Sequence, residues 1–215
     1  MFAVIGFLAL ALMAIRRRVD WGAPSLWVWP VPSMVIGGVR YDAVISDGVG
    51  TDRPDGASHR GVDIMYRRRN ARDLPQYPTS DGHSPGHVAP PFTPVLAARA
   101  GTIWSVAYTP RGWTVVISHD GSTFATYYTH MQSVAFPAHR KGVNIATGQP
   151  TVIGRGDYIG AVGWDPMDKS KTRHLHFAVW AGGPESHAVD PESAMKTWPR
   201  AAWQWDPTAD NEEEG

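Results

Sequence analysis

The sequence contains no cysteine, so disulfide bonds and thiolate metal ligands are both excluded. Any metal ion would therefore be held by histidine nitrogens and carboxylate oxygens. Acidic and basic residues number 20 each, and this balance gives no general electrostatic footprint for nucleic acid, which we do not expect as a partner. The His-Glu-x-x-His helical zinc motif is also absent, so no glutamate is an obvious general base.

Long apolar runs are absent except at the start of the chain, where MFAVIGFLALALMAI precedes three arginines. A helix over residues 1–15 would be about 22 Å long, shorter than the roughly 30 Å hydrocarbon core of a bilayer. Three interpretations of residues 1–18 stay open: an atypical export signal or anchor, a short re-entrant or interfacial helix, or a helix buried against partner subunits. We favour a membrane or export role, and expect this segment to contact a membrane or a multiprotein assembly.

Helical periodicity is scarce between residues 40 and 190, whereas glycine and proline are frequent, at 22 and 18 residues. We predict a mainly β protein with a compact antiparallel β-sheet domain over 41–192, an apolar N-terminal helix and few other helices. A Trp- and Pro-rich lead-in covers 19–40, and a long surface insertion covers 66–92. Residues 193–215 form a C-terminal extension that ends in an acidic tail.

The stretch RHLHFAVW, residues 173–180, contains two histidines two positions apart. Its aromatic and β-branched residues favour a strand, in which residues i and i+2 lie about 6.6 Å apart and point to the same face. His174 and His176 are therefore expected to project together from one sheet face. They are either incidental on the polar face of a half-buried strand, or a pair that serves one site as a metal ligand and a proton-transfer group.

The stretch GASHRGVDIMY contains His59 and Asp63, four positions apart. In a fully extended strand they would be about 13 Å apart, too far for one zinc ion, so the chain must curve between them. We attribute this curvature to the conformational freedom of Gly61. The alternative is an exposed loop histidine followed by a turn-forming aspartate.

A β-hairpin is predicted where Asp120-Gly121 separates two β-rich runs, WTVVIS and TFATYYTHM. His119 precedes this turn and is expected to be exposed. His130 is expected just past the end of the second strand, either as a surface residue or as part of a site.

Taken in order, HRGVD, YTHM and HLHF, with hairpins between them, resemble the M23 family of zinc metallopeptidases, the LytM or lysostaphin-type endopeptidases. The stretches WVWPVP, TPVLAARAGTI, GWTVVISHDG and GDYIGAVG and the closing Asp190-Pro191 echo further motifs of this family. The segment WDPMDKSKTR departs from it, because the family usually has a short Gly-, Ser- and Thr-rich segment before the final His-x-His.

The resemblance implies the LytM/lysostaphin-type peptidase fold and one zinc ion per chain. It assigns His59, Asp63 and His176 as the metal ligands. It assigns His130 and His174 as catalytic residues that stay off the metal and handle the proton and the developing oxyanion.

The function implied is that of a zinc metalloendopeptidase, a peptidoglycan hydrolase whose substrates are peptidoglycan peptides of the stem or cross-bridge. Its location would be the cell envelope, on the periplasmic or extracellular side, with residues 1–18 as an anchor in one version. The alternative is a structural or regulatory component of an envelope-associated or phage-tail-like assembly that carries an M23 fold, located in a virion or tail-like particle. Because all five expected polar residues are present, the sequence favours the enzyme.

Overall fold

A computed structural model describes residues 20–52, 56–67, 86–119, 123–169 and 171–204. The predicted N-terminal helix with its basic cluster, the acidic tail and most of the predicted insertion lie outside these residues. No helix within the described ranges is long and apolar enough to cross a membrane.

Short strands joined by tight turns make up most of the described chain. The helical elements in these ranges are a 3-10 turn, Pro24–Leu26, and a single-turn helix α1, Glu192–Met195. The prediction of a mainly β, antiparallel fold is confirmed. The strands are β1 Ser33–Ile36, β2 Val39–Tyr41, β3 Ala43–Asp47, β4 Val62–Arg67, β5 His87–Val88, β6 Pro94–Leu96, β7 Gly101–Thr109, β8 Gly112–Ser118, β9 Phe124–Val134, β10 His139–Arg140, β11 Val143–Asn144, β12 Val152–Ile153, β13 Tyr158–Val162, β14 Leu175–Ala181, β15 His187–Val189 and β16 Ala202–Gln204.

The central sheet has the strand order β11-β10-β7-β8-β9-β14-β4-β3, and all of these neighbours are antiparallel. Strands β8 and β9 form the predicted hairpin, although its turn residues 120–122 lie outside the described ranges. The order makes β4, β9 and β14 adjacent, although they are far apart in the sequence. The three histidine-bearing stretches therefore meet in the middle of one sheet.

Strand β14 shows how the sequence sets the two faces of this sheet. Leu175, Phe177 and Val179 are fully buried in the core, whereas His176 and Trp180 on the opposite face are partly exposed. Burying such an apolar side chain stabilises a fold by about 1.5–3 kcal/mol. A slip of one residue would reverse the two faces, so the core residues fix the register that presents His176.

The lead-in and the C-terminal extension pack against each other. Strand β1 pairs antiparallel with β2 and parallel with β16, so both segments contribute to one small sheet. The indole of Trp27 stacks on that of Trp198 at 4.7 Å, and Trp29 Nε1 donates to the carbonyl of Met195. The segment boundaries inferred from the sequence stay predictions.

Part of the predicted insertion lies in paired strands. Tyr66, fully buried, pairs with Val88, and Arg67 pairs with His87 in the β4–β5 ladder. Residues 68–85 of the insertion lie outside the described residues.

Candidate metal centre

Three potential metal ligands converge at the junction of β4 and β14. Asp63 and His176 are cross-strand partners, and His59 lies just before β4, held by backbone hydrogen bonds to Gly50 and Thr51. His59 Nε2 lies 2.8 Å from His176 Nδ1 and 3.2 Å from Asp63 Oδ1, and the last two atoms are 3.1 Å apart. Elsewhere in the described part of the chain, no three such side chains converge in this way.

This donor set fits a zinc ion. Zinc is bound by histidine nitrogen and carboxylate oxygen at about 2.0–2.2 Å, so one ion can reach three donors that are this close to one another. Burial would raise the pKa of Asp63, but its interactions with the neighbouring His176 and His59 outweigh burial and hold the pKa well below its usual range. Burial also lowers the pKa of His176. An ionised carboxylate and neutral imidazoles are the forms that bind a metal.

Backbone and carboxylate groups behind His59 fix its orientation. Its Nδ1–H donates to the carbonyl of Gly48 at 2.9 Å, with Asp47 Oδ2 at 3.5 Å from the same nitrogen. The Nε2 lone pair therefore faces Asp63 and His176. Metal-binding histidines characteristically donate a hydrogen bond from their second ring nitrogen to a carbonyl or carboxylate in this way.

Gly61 is needed for a different reason from the one expected. It does not have a positive φ, so the turn between His59 and Asp63 does not depend on a conformation special to glycine. A Cβ atom at this position would lie 2.6 Å from both His176 Nε2 and the Phe177 carbonyl oxygen. Gly61 therefore lets β14 approach, and the explanation by conformational freedom is wrong.

His130 lies within β9 and not past the end of a strand, as the sequence suggested. Trp113 pairs with Met131 and Val115 with Tyr128, so Thr129 and His130 together oppose a single residue of β8. This is a β-bulge, and His130 has the left-handed φ of 63°. Regular alternation would turn the residue after Thr129 into the core, whereas the bulge presents His130 on the site face.

His130 and His174 lie side by side next to the three donors. Their ring centroids are 4.7 Å apart, and that of His130 is 5.8 Å from His176. His130 Nδ1 donates to the Arg111 carbonyl and His174 Nδ1 to the Thr172 carbonyl, each at 2.9 Å. In the neutral rings both Nε2 atoms are therefore unprotonated. Burial and the neighbouring His174 lower the pKa of His130 to about 4.

Two charged residues at the site, Asp165 and Arg111, were not singled out from the sequence. Asp165 is 6% exposed, and its Oδ2 accepts from Arg111 Nη1 at 2.7 Å and lies 3.9 Å from His130 Nε2. Burial would raise the pKa of Asp165, but the Met167 N–H and Arg111 outweigh it and lower the pKa. The only sequence signal was the charged segment WDPMDKSKTR, in which Asp165 accepts from the backbone two residues on.

Two further histidines are buried away from the site. The expectation that His119 is exposed is wrong, because it is 1% exposed. Its Nδ1 lies 3.0 Å from the Ala100 carbonyl oxygen and its Nε2 3.0 Å from Thr126 Oγ1. His139 is 2% exposed and has an equivalent pair of neutral partners.

Residues 87–191 match the family model described as Peptidase family M23. The predicted resemblance to the M23 family is confirmed over these residues. The matched residues include His130, His174 and His176, whereas His59 and Asp63 precede the match. No protein of curated function matches the chain in sequence.

Solved structures share its fold. LytU is similar with a TM-score of 0.51 and 18% identity, covering 74% of this chain and 88% of that one. A chain of the SpoIIQ-SpoIIIAH pore forming complex is similar with a TM-score of 0.50 and 13% identity, covering 89% and 99%. The catalytic domain of the antimicrobial peptidase lysostaphin from Staphylococcus simulans has a TM-score of 0.49 and 19% identity, covering 73% and 92%. At this level of identity these similarities concern the fold alone.

Proposed function

We propose that this chain is a zinc-dependent endopeptidase that hydrolyses peptide bonds in the stem or cross-bridge of bacterial peptidoglycan. The observation that carries the proposal is the convergence of five side chains from three separate stretches. Three donor atoms lie within 3.2 Å of one another, and two further histidines stand beside them, each anchored through Nδ1 to a backbone carbonyl. The match of residues 87–191 to a peptidase family also supports the proposal.

His59, Asp63 and His176 are the residues that would hold the ion. Zinc held by them would act as a Lewis acid and bring the pKa of a bound water close to 7. Three protein ligands would leave a coordination position open to water or substrate, as catalytic zinc sites require. Asp63 contributes the single negative charge among the three, and Gly48 keeps the His59 lone pair directed at the site.

His130 and His174 supply the proton chemistry in this proposal. Each ring is anchored through Nδ1, so a proton taken from the attacking water is accepted at Nε2 of one ring. The same Nε2–H is then placed to protonate the amine that leaves. The other ring, when protonated, donates Nε2–H to the oxygen on which negative charge develops. Each Nε2 has a carboxylate oxygen 3.9 Å away, that of Asp165 for His130 and that of Asp63 for His174.

The test is release of peptides from purified peptidoglycan, with products resolved by mass. Wild type, chelator-treated wild type, chelated protein with zinc restored, and His176→Ala are compared. We expect new peptide ends from wild type and from the zinc-restored protein alone, and the masses will identify the bond. A folded, zinc-loaded wild type that releases nothing from several wall types would contradict the proposal.

The second candidate is a structural or regulatory component of an envelope-associated or phage-tail-like assembly. The fold similarity to a chain of a pore forming complex is the observation that favours it. We place the enzyme first, in the cell envelope, because the full set of five polar side chains is present. Fractionation separates the settings: a membrane-bound single chain supports an anchor in residues 1–18, and copurifying particle proteins support the assembly.

A further inference from the structure

Tyr127 and Trp180 form a partly exposed aromatic surface beside the metal centre, which we call the aromatic platform. Their ring centroids are 5.2 Å apart and their planes differ by 31°. His176, Ala178 and Trp180 alternate along one face of β14, and Tyr127 on β9 is the direct partner of Ala178. The platform is continuous with the site, because the Tyr127 ring meets that of His176 edge-on at 6.1 Å.

Packing of the core does not explain these two rings. The core lies on the other face of the sheet, where Phe177 and Val179 are fully buried. On the platform side, the ladder partners of Trp180 and Tyr127 include the small buried residues Ala125 and Ala178. The rings therefore stand beside small, uncharged residues of the same sheet face. A partly exposed aromatic pair that borders a candidate metal centre is the kind of surface that binds ligands.

The chemistry of peptidoglycan limits what such a surface can bind. Residues of its stem peptides are charged or as small as alanine, and these gain little from a broad aromatic pair. Its N-acetylated sugar rings present a flat face of C–H groups and an acetamido methyl, which can cover both rings. We propose that the aromatic platform binds the N-acetylated sugar ring to which the stem peptide is attached.

The distance between the aromatic platform and the metal centre limits which peptide bond can be cleaved. This inference rests on the proposed function. Trp180 lies four residues from His176 on one strand, which corresponds to about 13 Å. An extended peptide residue spans about 3.5 Å. A sugar on the platform therefore leaves a peptide bond about three to four residues along the stem at the metal centre.

The first test uses the zinc-loaded full chain and two substrates: a disaccharide-pentapeptide and the same pentapeptide without sugar. For wild type we expect a KM roughly five- to ten-fold lower with the sugar. Trp180→Ala removes that difference with kcat unchanged, and Trp180→Phe restores most of it. Trp203→Ala, a partly exposed tryptophan in the small sheet, is the matched control and keeps the difference. Equal KM values in wild type, or a KM raised equally for both substrates by Trp180→Ala, overturn the proposal.

A second test separates the platform from the proposed activity. Binding of the disaccharide-pentapeptide to the chelator-treated full chain is measured by calorimetry, so no turnover is needed. Binding weakened roughly five- to ten-fold by Trp180→Ala, and not by Trp203→Ala, supports the platform even if the wall assay is negative. Absent binding to wild type, or equal binding by wild type and Trp180→Ala, overturns it even if the wall assay is positive.

Discussion

Buried histidines occur in two settings in this molecule, and the contrast shows what distinguishes the site. His119 has a backbone carbonyl at Nδ1 and the Thr126 hydroxyl at Nε2, and His139 likewise has a carbonyl and the Thr151 hydroxyl. Both rings are almost completely buried, and both nitrogens meet neutral partners. These carbonyl and hydroxyl partners satisfy the hydrogen-bonding groups of rings that are buried in the fold.

At the metal centre the partner of Nδ1 is of the same kind, whereas the partner of Nε2 differs. His59, His130 and His174 also have a backbone carbonyl at Nδ1. Their Nε2 atoms face carboxylates or another histidine instead of a hydroxyl. Burial and an anchored Nδ1 are therefore not signs of function, whereas the partner of the second nitrogen is.

The largest effect is expected at the ligands. His176→Ala should release zinc and lower activity on the wall about 10⁴-fold or more, because several kcal/mol of transition-state stabilisation are lost. Zinc content by atomic spectroscopy and peptide release measure the two losses. His139→Ala, away from the site, should keep its zinc. A His176→Ala protein that holds zinc as tightly as wild type would remove His176 from the ligand set.

The next effect is expected at the two histidines beside the ligands. His130→Asn and His174→Asn should each lower kcat by about 10²–10³-fold, since each removes a group that accepts or donates a proton. Zinc content should stay at one ion per chain, which distinguishes these variants from the ligand variants. Loss of the metal from either one would move that residue into the ligand set.

A smaller effect is expected behind His59. Asp47→Asn removes the charge 3.5 Å from His59 Nδ1 while leaving the Gly48 carbonyl in place. We expect zinc affinity to fall about 10-fold, within the range found for groups that orient metal-binding histidines. Competition with a chromogenic chelator gives the affinity. Asp42→Asn, a carboxylate paired with Arg40, is a suitable control that should leave the affinity unchanged.

The smallest effect on activity is expected at the histidines with neutral partners. His119→Ala leaves the Ala100 carbonyl and the Thr126 hydroxyl without their partner, which should lower the free energy of unfolding by about 1–3 kcal/mol. Urea unfolding measures this loss, while zinc content and kcat should match wild type. A large loss of kcat in a folded His119→Ala protein would erase the contrast between the two settings.

The sequence predicts the parts of this site that depend on local alternation. The alternation of side chains along HLHF predicts that His176 and Phe177 point to opposite faces of the sheet, and they do so in β14. The position of His130 depends on how β9 pairs with β8, and a bulge set by two strands has no local signature. The burial of His119 depends on Thr126 across the hairpin and on Trp27, whose ring lies 5.6 Å away. Asp165 is held by Arg111, which is 54 positions distant.

The bulge in β9 also makes the arrangement of the site depend on the number of residues in this strand. Thr129 and His130 share one position opposite β8, and the residues on either side, Tyr128 and Met131, both return to the core. A chain with one residue fewer here would keep every strand and every ligand, yet would present a single residue where this one presents two. Relatives that carry the same histidine but a different number of residues in this strand would therefore share the fold without sharing the arrangement around the metal centre.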